Sequence, residues 1–289
     1  MPIDLKPLHV AVREGRRLRG RVQLVRTNAQ GPTTKAVLEA LRLAVARRPS
    51  PEEARWVGLI EQVRARLEAS QEPMAITDHG AGSRVEASTA VPGTNAAKVT
   101  TKTLGQMTLS SKPPQWAYLL FRLVRELQPQ RGLEMGSCVG ISASYQAAGM
   151  RLNGSGRLMS LEGADVLAER TRTTVGGLGL ADNVNVVLGP FDETLAGALA
   201  ELAPLDWAFI DGHHDGPATL RYMESILASC GPEAVLLFDD INWSPGMRQA
   251  WCSILTDPRF ALTVDLRSVG IAVVSAFPEA RRHLTLSYY

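Results

Sequence analysis

The sequence predicts an α/β protein built on an open, doubly wound, mostly parallel sheet with an N-terminal helical extension. Three observations carry that expectation. Apolar runs that stop at a carboxylate recur at residues 133–134, 158–162, 205–211 and 234–240. Between them, residues 141–152, 164–178, 191–203 and 218–228 repeat apolar side chains at helical spacing and are long enough for right-handed crossovers. The first run opens into a glycine-bearing turn, Glu134-Met135-Gly136-Ser137-Cys138-Val139-Gly140, from which a helix starts. In open α/β sheets ligands bind outside the carboxyl ends of the strands, so acids placed there converge on one crevice.

Composition bounds the rest. A chain of 289 residues, 45% hydrophobic and 21% charged, buries a large core. A net charge of +2 calls for no nucleic-acid partner. No apolar run reaches the length of a membrane span and no apolar signal core follows the N-terminus, so a cytoplasmic protein is expected. Cys138, Cys230 and Cys252 are odd in number and lack metal-ligand spacing.

In chain order, Arg13, Arg16, Arg17, Arg19, Arg21 and Arg26 make a basic arm, by default solvated or partly disordered, with contact to RNA or to an anionic substrate as the other readings. Residues 34–48 and 52–69 read as helices divided by Arg48-Pro49-Ser50-Pro51, with Ser50 as cap and Pro51 in the first turn. The polar, glycine-rich stretch 78–103 reads as a lid over substrate or as a linker. After Ser110-Ser111-Lys112-Pro113-Pro114, residues 115–127 place Trp116, Leu119, Leu120, Leu123, Val124 and Leu127 at helical spacing, the serines serving as caps or touching a cofactor. Residues 183–187 read as a further strand, and Asp239-Asp240 as possible caps of a helix beginning near Ser244-Pro245. The runs 260–266 and 269–275 suggest a closing hairpin. The expected division is an N-terminal part, 1–104, and a domain over 105–289.

The turn lacks the close second glycine of G-x-G-x-x-G, which admits a pyrophosphate. Its E-x-G-x-x-x-G pattern resembles the first motif of class I S-adenosylmethionine-dependent methyltransferases. Asp211-Gly212-His213-His214 and Asp239-Asp240-Ile241-Asn242-Trp243 resemble the fourth and fifth strand ends of small-molecule O-methyltransferases of the macrolide-sugar, catechol and caffeoyl-CoA types, and the resemblance spans about residues 105–275. It implies a Rossmann-like, seven-stranded sheet whose last strand is antiparallel, and S-adenosylmethionine as cofactor. By the same resemblance Glu134, Gly136, Ser137 and Gly140 face its amino-acid end, Glu162 and Gly163 its ribose, and Phe191 and Asp192 its adenine, with Asp211 beside them. Asp211, Asp239 and Asp240 match positions that hold a divalent metal, and their hard oxygens suit Mg²⁺. His213 or His214, the latter favoured, removes the acceptor proton. Trp116 and Trp243 are candidate pocket walls. The implied partner is a small hydroxylated acceptor, a sugar or phenolic compound, with the N-terminal helices covering the pocket or forming a homodimer interface. Two other readings stay open: a cofactor-binding regulatory module without transfer activity, and an RNA methyltransferase using the basic arm. The motifs of P-loop proteins, zinc proteases, α/β-hydrolases and base-amino methyltransferases are absent.

Overall fold

A computed structural model describes residues 31–78, 98–277 and 280–288. The basic arm at 13–26 and most of the 78–103 stretch lie outside them. Two helices come first, α1 (Pro32–Ala46) and α2 (Pro51–Glu68). Ser50 and Glu53 cap α2 reciprocally: Ser50 Oγ accepts from the Glu53 amide at 3.3 Å, and the Glu53 carboxylate accepts from the Ser50 amide at 2.9 Å. Strands β1 (Pro73–Asp78) and β2 (Lys98–Thr103) then pair antiparallel, Pro73 opposite Thr103. The lid-or-linker reading did not foresee β2, whose β-branched Val99, Thr100 and Thr101 favour extended backbone.

Helices α3 (Leu104–Leu109) and α4 (Pro114–Leu127) lead into the alternating part. There β3 (Arg131–Met135), α5 (Ile141–Asn153), β4 (Arg157–Glu162), α6 (Asp165–Gly177), β5 (Val184–Leu188), α7 (Phe191–Leu202), β6 (Leu205–Ile210), α8 (Gly216–Ser229) and β7 (Cys230–Phe238) follow in turn. The chain closes with α9 (Pro245–Thr256), β8 (Phe260–Asp265), β9 (Gly270–Ser275) and β10 (Arg282–Thr285). The sheet runs β10-β8-β9-β7-β6-β3-β4-β5. Strand β9 is antiparallel to both β7 and β8, as the hairpin reading expects. An eighth strand, β10, adds to the expected seven, pairing parallel with β8 at the edge.

Side chains alternate across the pleat and sort the core into two layers. On β6, Trp207 and Phe209 face the layer of α1, α4, α5 and α6, whereas Ala208 and Ile210 face α7, α8 and α9. The first layer continues into the N-terminal part: Val37, Leu38 and Leu41 of α1, Ile60 of α2 and Met74 of β1 belong to it. The division at 104/105 falls in the first turn of α3, and the core crosses it. Helix α4 is buried from Ala117 to Val124. Its Arg122 meets Glu53 at 2.6 Å and also pairs with Glu126, so α2 and α4 are joined by a largely buried ion network. Neither serine caps α4, whose first turn follows Pro113 without a side-chain bond. Asp239 and Asp240 do not cap α9; Ser244 does, accepting from the Met247 amide at 3.2 Å. Among the described residues no helix is long and apolar enough to cross a membrane.

Candidate active site

The carboxyl ends of β3, β4, β6 and β7 meet at one rim of the sheet. The turn after β3 lies directly against the end of β6. Gly136 adopts φ +94°, and a Cβ there would sit 2.2 Å from the Asp211 carbonyl oxygen, so only glycine permits that approach. Gly140, at φ +84° before α5, packs so close to α6 that a Cβ would stand 3.0 Å from Thr171 Cα. The Thr171 hydroxyl donates to Ser137 Oγ at 3.0 Å, fixing the turn between them.

Glu134 lies beneath the turn and is fully buried. Gln146 Nε2 donates to it at 2.7 Å and Ser160 Oγ at 2.5 Å, while Trp207 Nε1 donates to Gln146 Oε1 at 2.7 Å. Burial pushes the Glu134 carboxyl up to about 7, the donors opposing it. Glu162, at the end of β4, faces the turn. It accepts from the Cys138 amide at 2.9 Å, the Ala164 amide at 3.1 Å and the Ser137 hydroxyl at 3.4 Å. An ionised carboxylate offers about four acceptor sites, so capacity for a further hydroxyl remains. Gly163 follows it, half-buried. Burial pushes the Cys138 thiol up to about 12, which makes it an inert filler of the turn.

Phe191 opens α7 and lies over Gly212, where a Cβ would be 2.4 Å from its ring. Its ring stands edge-on to Tyr222 at 6.0 Å. Burial and then the Asp192 carboxylate raise the Tyr222 hydroxyl above its ordinary range.

The acids after β6 and β7 converge around a residue that sequence reasoning missed. The Lys112 ammonium, from the connection between α3 and α4, is hydrogen-bonded to Asp239 and stands 3.4 Å from Asp211 Oδ2. Burial alone depresses a lysine, but Asp211, Asp239 and Asp240 outweigh it and hold Lys112 firmly protonated. Burial, reinforced by Asp239, raises Asp211 well above the carboxylate range; burial also opposes ionisation of Asp239, but Lys112 and the Asp211 hydrogen bond prevail and hold it low. His214 Nε2 lies 3.9 Å from Asp211 Oδ1 and 4.0 Å from Asp240 Oδ2. Burial lowers its pKa, leaving a neutral imidazole able to accept a proton. The adjacent histidines diverge: His214 joins the acids, while His213 Nδ1 turns to the Tyr222 hydroxyl at 3.5 Å. His213, His214 and Asp240 hold φ values of 69°, 40° and 49°, a left-handed backbone that is uncommon outside glycine and gathers at functional loops.

Of the candidate walls, Trp243 lies beside the cluster, its ring 5.3 Å from that of His214. Trp116 instead packs on Tyr288, at 4.9 Å, far along the chain in the C-terminal segment. The turn and Glu162 fit a nucleoside cofactor, offering close backbone approach and a carboxylate with lone pairs to spare. The acids do not fit the expected Mg²⁺. The position between Asp211 and Asp239 is taken by an ammonium, and among the described residues no group of three or more His, Cys, Asp or Glu side chains is arranged to hold a metal ion.

Residues 133–241 match a family model described as a methyltransferase domain. The catechol O-methyltransferase of Mycobacterium tuberculosis is 32% identical over 127 residues, covering 44% of this chain and 55% of that protein. The chain thus spans about half the length of the curated relative it matches. An O-methyltransferase from Bacillus cereus, solved in complex with SAH, shares the fold with a TM-score of 0.52 at 21% identity, over 81% of this chain and 94% of that one. A SAH-bound Podospora anserina methyltransferase does so with a TM-score of 0.50 at 18% identity, over 80% and 98%.

Proposed function

We propose that this chain, whose residues 133–241 match a methyltransferase-domain model, is a class I methyltransferase that transfers a methyl group from S-adenosylmethionine to a hydroxyl of a small acceptor, a sugar or a phenolic compound. One observation carries this reading: Gly136 lays the turn against Asp211, so a cofactor-type turn and a proton-handling cluster share one wall. When bound, S-adenosylmethionine supplies a sulfonium-activated methyl whose carbon–sulfur bond breaks toward sulfur as the acceptor oxygen attacks.

The chain's own residues do the rest. Gly136, Ser137 and Gly140 offer backbone at close range to the amino-acid end. Glu162 accepts from a ribose hydroxyl, and Phe191 with Asp192 flanks the base. Glu134 serves from below, fixing the turn through Gln146 and Ser160 rather than touching the ligand. His214 Nε2 takes the acceptor proton, a role open to it because burial keeps the ring neutral. Trp243, its ring tilted beside that of His214, gives the acceptor an apolar wall. Aligning the oxygen with the methyl carbon accounts for much of the acceleration in such a displacement.

Calorimetric titration with S-adenosylhomocysteine tests the reading. Saturable binding by the wild type, lost in a folded Gly136→Arg variant, is the expected result. A well-folded wild type that takes up no S-adenosylhomocysteine would remove the basis for methyl transfer.

A further inference from the structure

The Lys112 ammonium sits where a divalent ion bridging Asp211 and Asp239 would have to sit. It is almost fully enclosed, with a side chain 12% exposed between partners that are 14% and 2% exposed. Two cations in contact at that spot repel strongly in so dry a place. Lysine is also a compact point charge with three donors, one of which bonds Asp239 while Asp211 stands 3.4 Å away. The tether is short and rigid, since Pro113 follows Lys112 directly and α4 begins at Pro114.

We propose that Lys112 is the site's own resident cation: it takes the place of a divalent metal between Asp211 and Asp239, so that the site binds no divalent ion and works without one. This inference rests on the methyltransferase reading for its catalytic meaning, but the occupancy it asserts is a property of the protein alone. Lys112 neutralises the shared Asp211–Asp239 charge and keeps a donor for an oxygen of the acceptor. His214, across the cluster, remains the proton acceptor.

Electron paramagnetic resonance of Mn²⁺ added to the purified protein decides it. The signal of free Mn²⁺ is expected to stay undiminished with the wild type and with Lys112→Arg, which keeps the charge. Lys112→Met is expected to capture the ion at least about tenfold more tightly than the wild type, because one like charge in close contact has gone. Adding Asp239→Asn to that variant is expected to abolish the capture. Wild-type protein that takes up Mn²⁺ stoichiometrically and loses it in Asp239→Asn overturns the proposal. So does a folded Lys112→Met that binds no more Mn²⁺ than the wild type. Should Lys112→Met fail to fold by circular dichroism, the wild-type and Asp239→Asn arms decide alone. S-adenosylhomocysteine calorimetry on the same samples keeps the two questions apart: absent cofactor binding sinks the methyltransferase reading, while the Mn²⁺ result still judges Lys112.

Discussion

Glu134 shows how one buried side chain ties a functional turn to folding stability. Its carboxyl is raised from the usual 4.5 to about 7 by burial, so the folded protein keeps a proton that the unfolded chain gives up. The stability it contributes is present below pH ~4.5 and is lost as pH rises through ~7, a change of about 3 kcal/mol for a shift of that size. Glu134→Gln keeps the shape and the contacts to Gln146 and Ser160 but cannot ionise. Thermal melts of this variant are expected to stay nearly level across that window while the wild type falls; parallel curves would show that Glu134 does not titrate there. Gly136 is the opposite case, where the missing side chain matters. A methyl group there meets the Asp211 carbonyl at 2.2 Å on a left-handed backbone, so Gly136→Ala is expected to cost about 3 kcal/mol and weaken S-adenosylhomocysteine binding. An alanine variant with wild-type melting and binding would mean that the turn is free to move away from β6.

At the scale of elements, Glu53 ties the N-terminal turn of α2 to α4. Glu53 closes the capping box with Ser50 and at the same time receives Arg122 at 2.6 Å and Arg125 at 3.3 Å. Burial opposes its ionisation, yet the Ser50 amide and the two guanidinium groups hold it below the ordinary glutamate range. Removing it breaks the Glu53 half of the capping box, while Ser50 Oγ still accepts from the backbone amide of residue 53, and leaves Arg122, 6% exposed, with Glu126 alone. Glu53→Ala is therefore expected to destabilise the protein by about 3–5 kcal/mol, as breaking a buried pair does, read by denaturant unfolding. Glu53→Gln retains the capping geometry and should lose less; equal losses would assign the whole effect to the ion pairs with Arg122 and Arg125. Helix α4 also explains why Lys112 is well placed. Its buried stretch fixes the segment that begins at Pro114, and the residue two positions earlier is thereby delivered to the ends of β6 and β7.

For the whole molecule, the continuous core predicts one cooperative unit. Val37, Leu38, Leu41, Ile60 and Met74 share a core cluster with α4, α5 and the sheet. A fragment of residues 105–289 strips that cover from α4 and is expected to aggregate or bind a hydrophobic dye, whereas the full chain should melt in a single transition; a soluble fragment with native melting would make the N-terminal part a separate domain. The alternating strands and helices, the glycine turn and the acids at successive strand ends were legible because each is local: periodicity, a breaker, a charge after an apolar run. Strand β2 and edge strand β10 were not, since each is short and defined by the neighbour that pairs with it. The sequence by itself determined a doubly wound α/β sheet with its candidate site at the carboxyl ends, because side-chain period and turn chemistry are written residue by residue. Only the tertiary structure decided that Glu134 turns inward, that His213 and His214 part company, and that Lys112 reaches Asp239 across 127 positions of sequence, because burial and charge pairing at that range exist only once the chain has closed on itself.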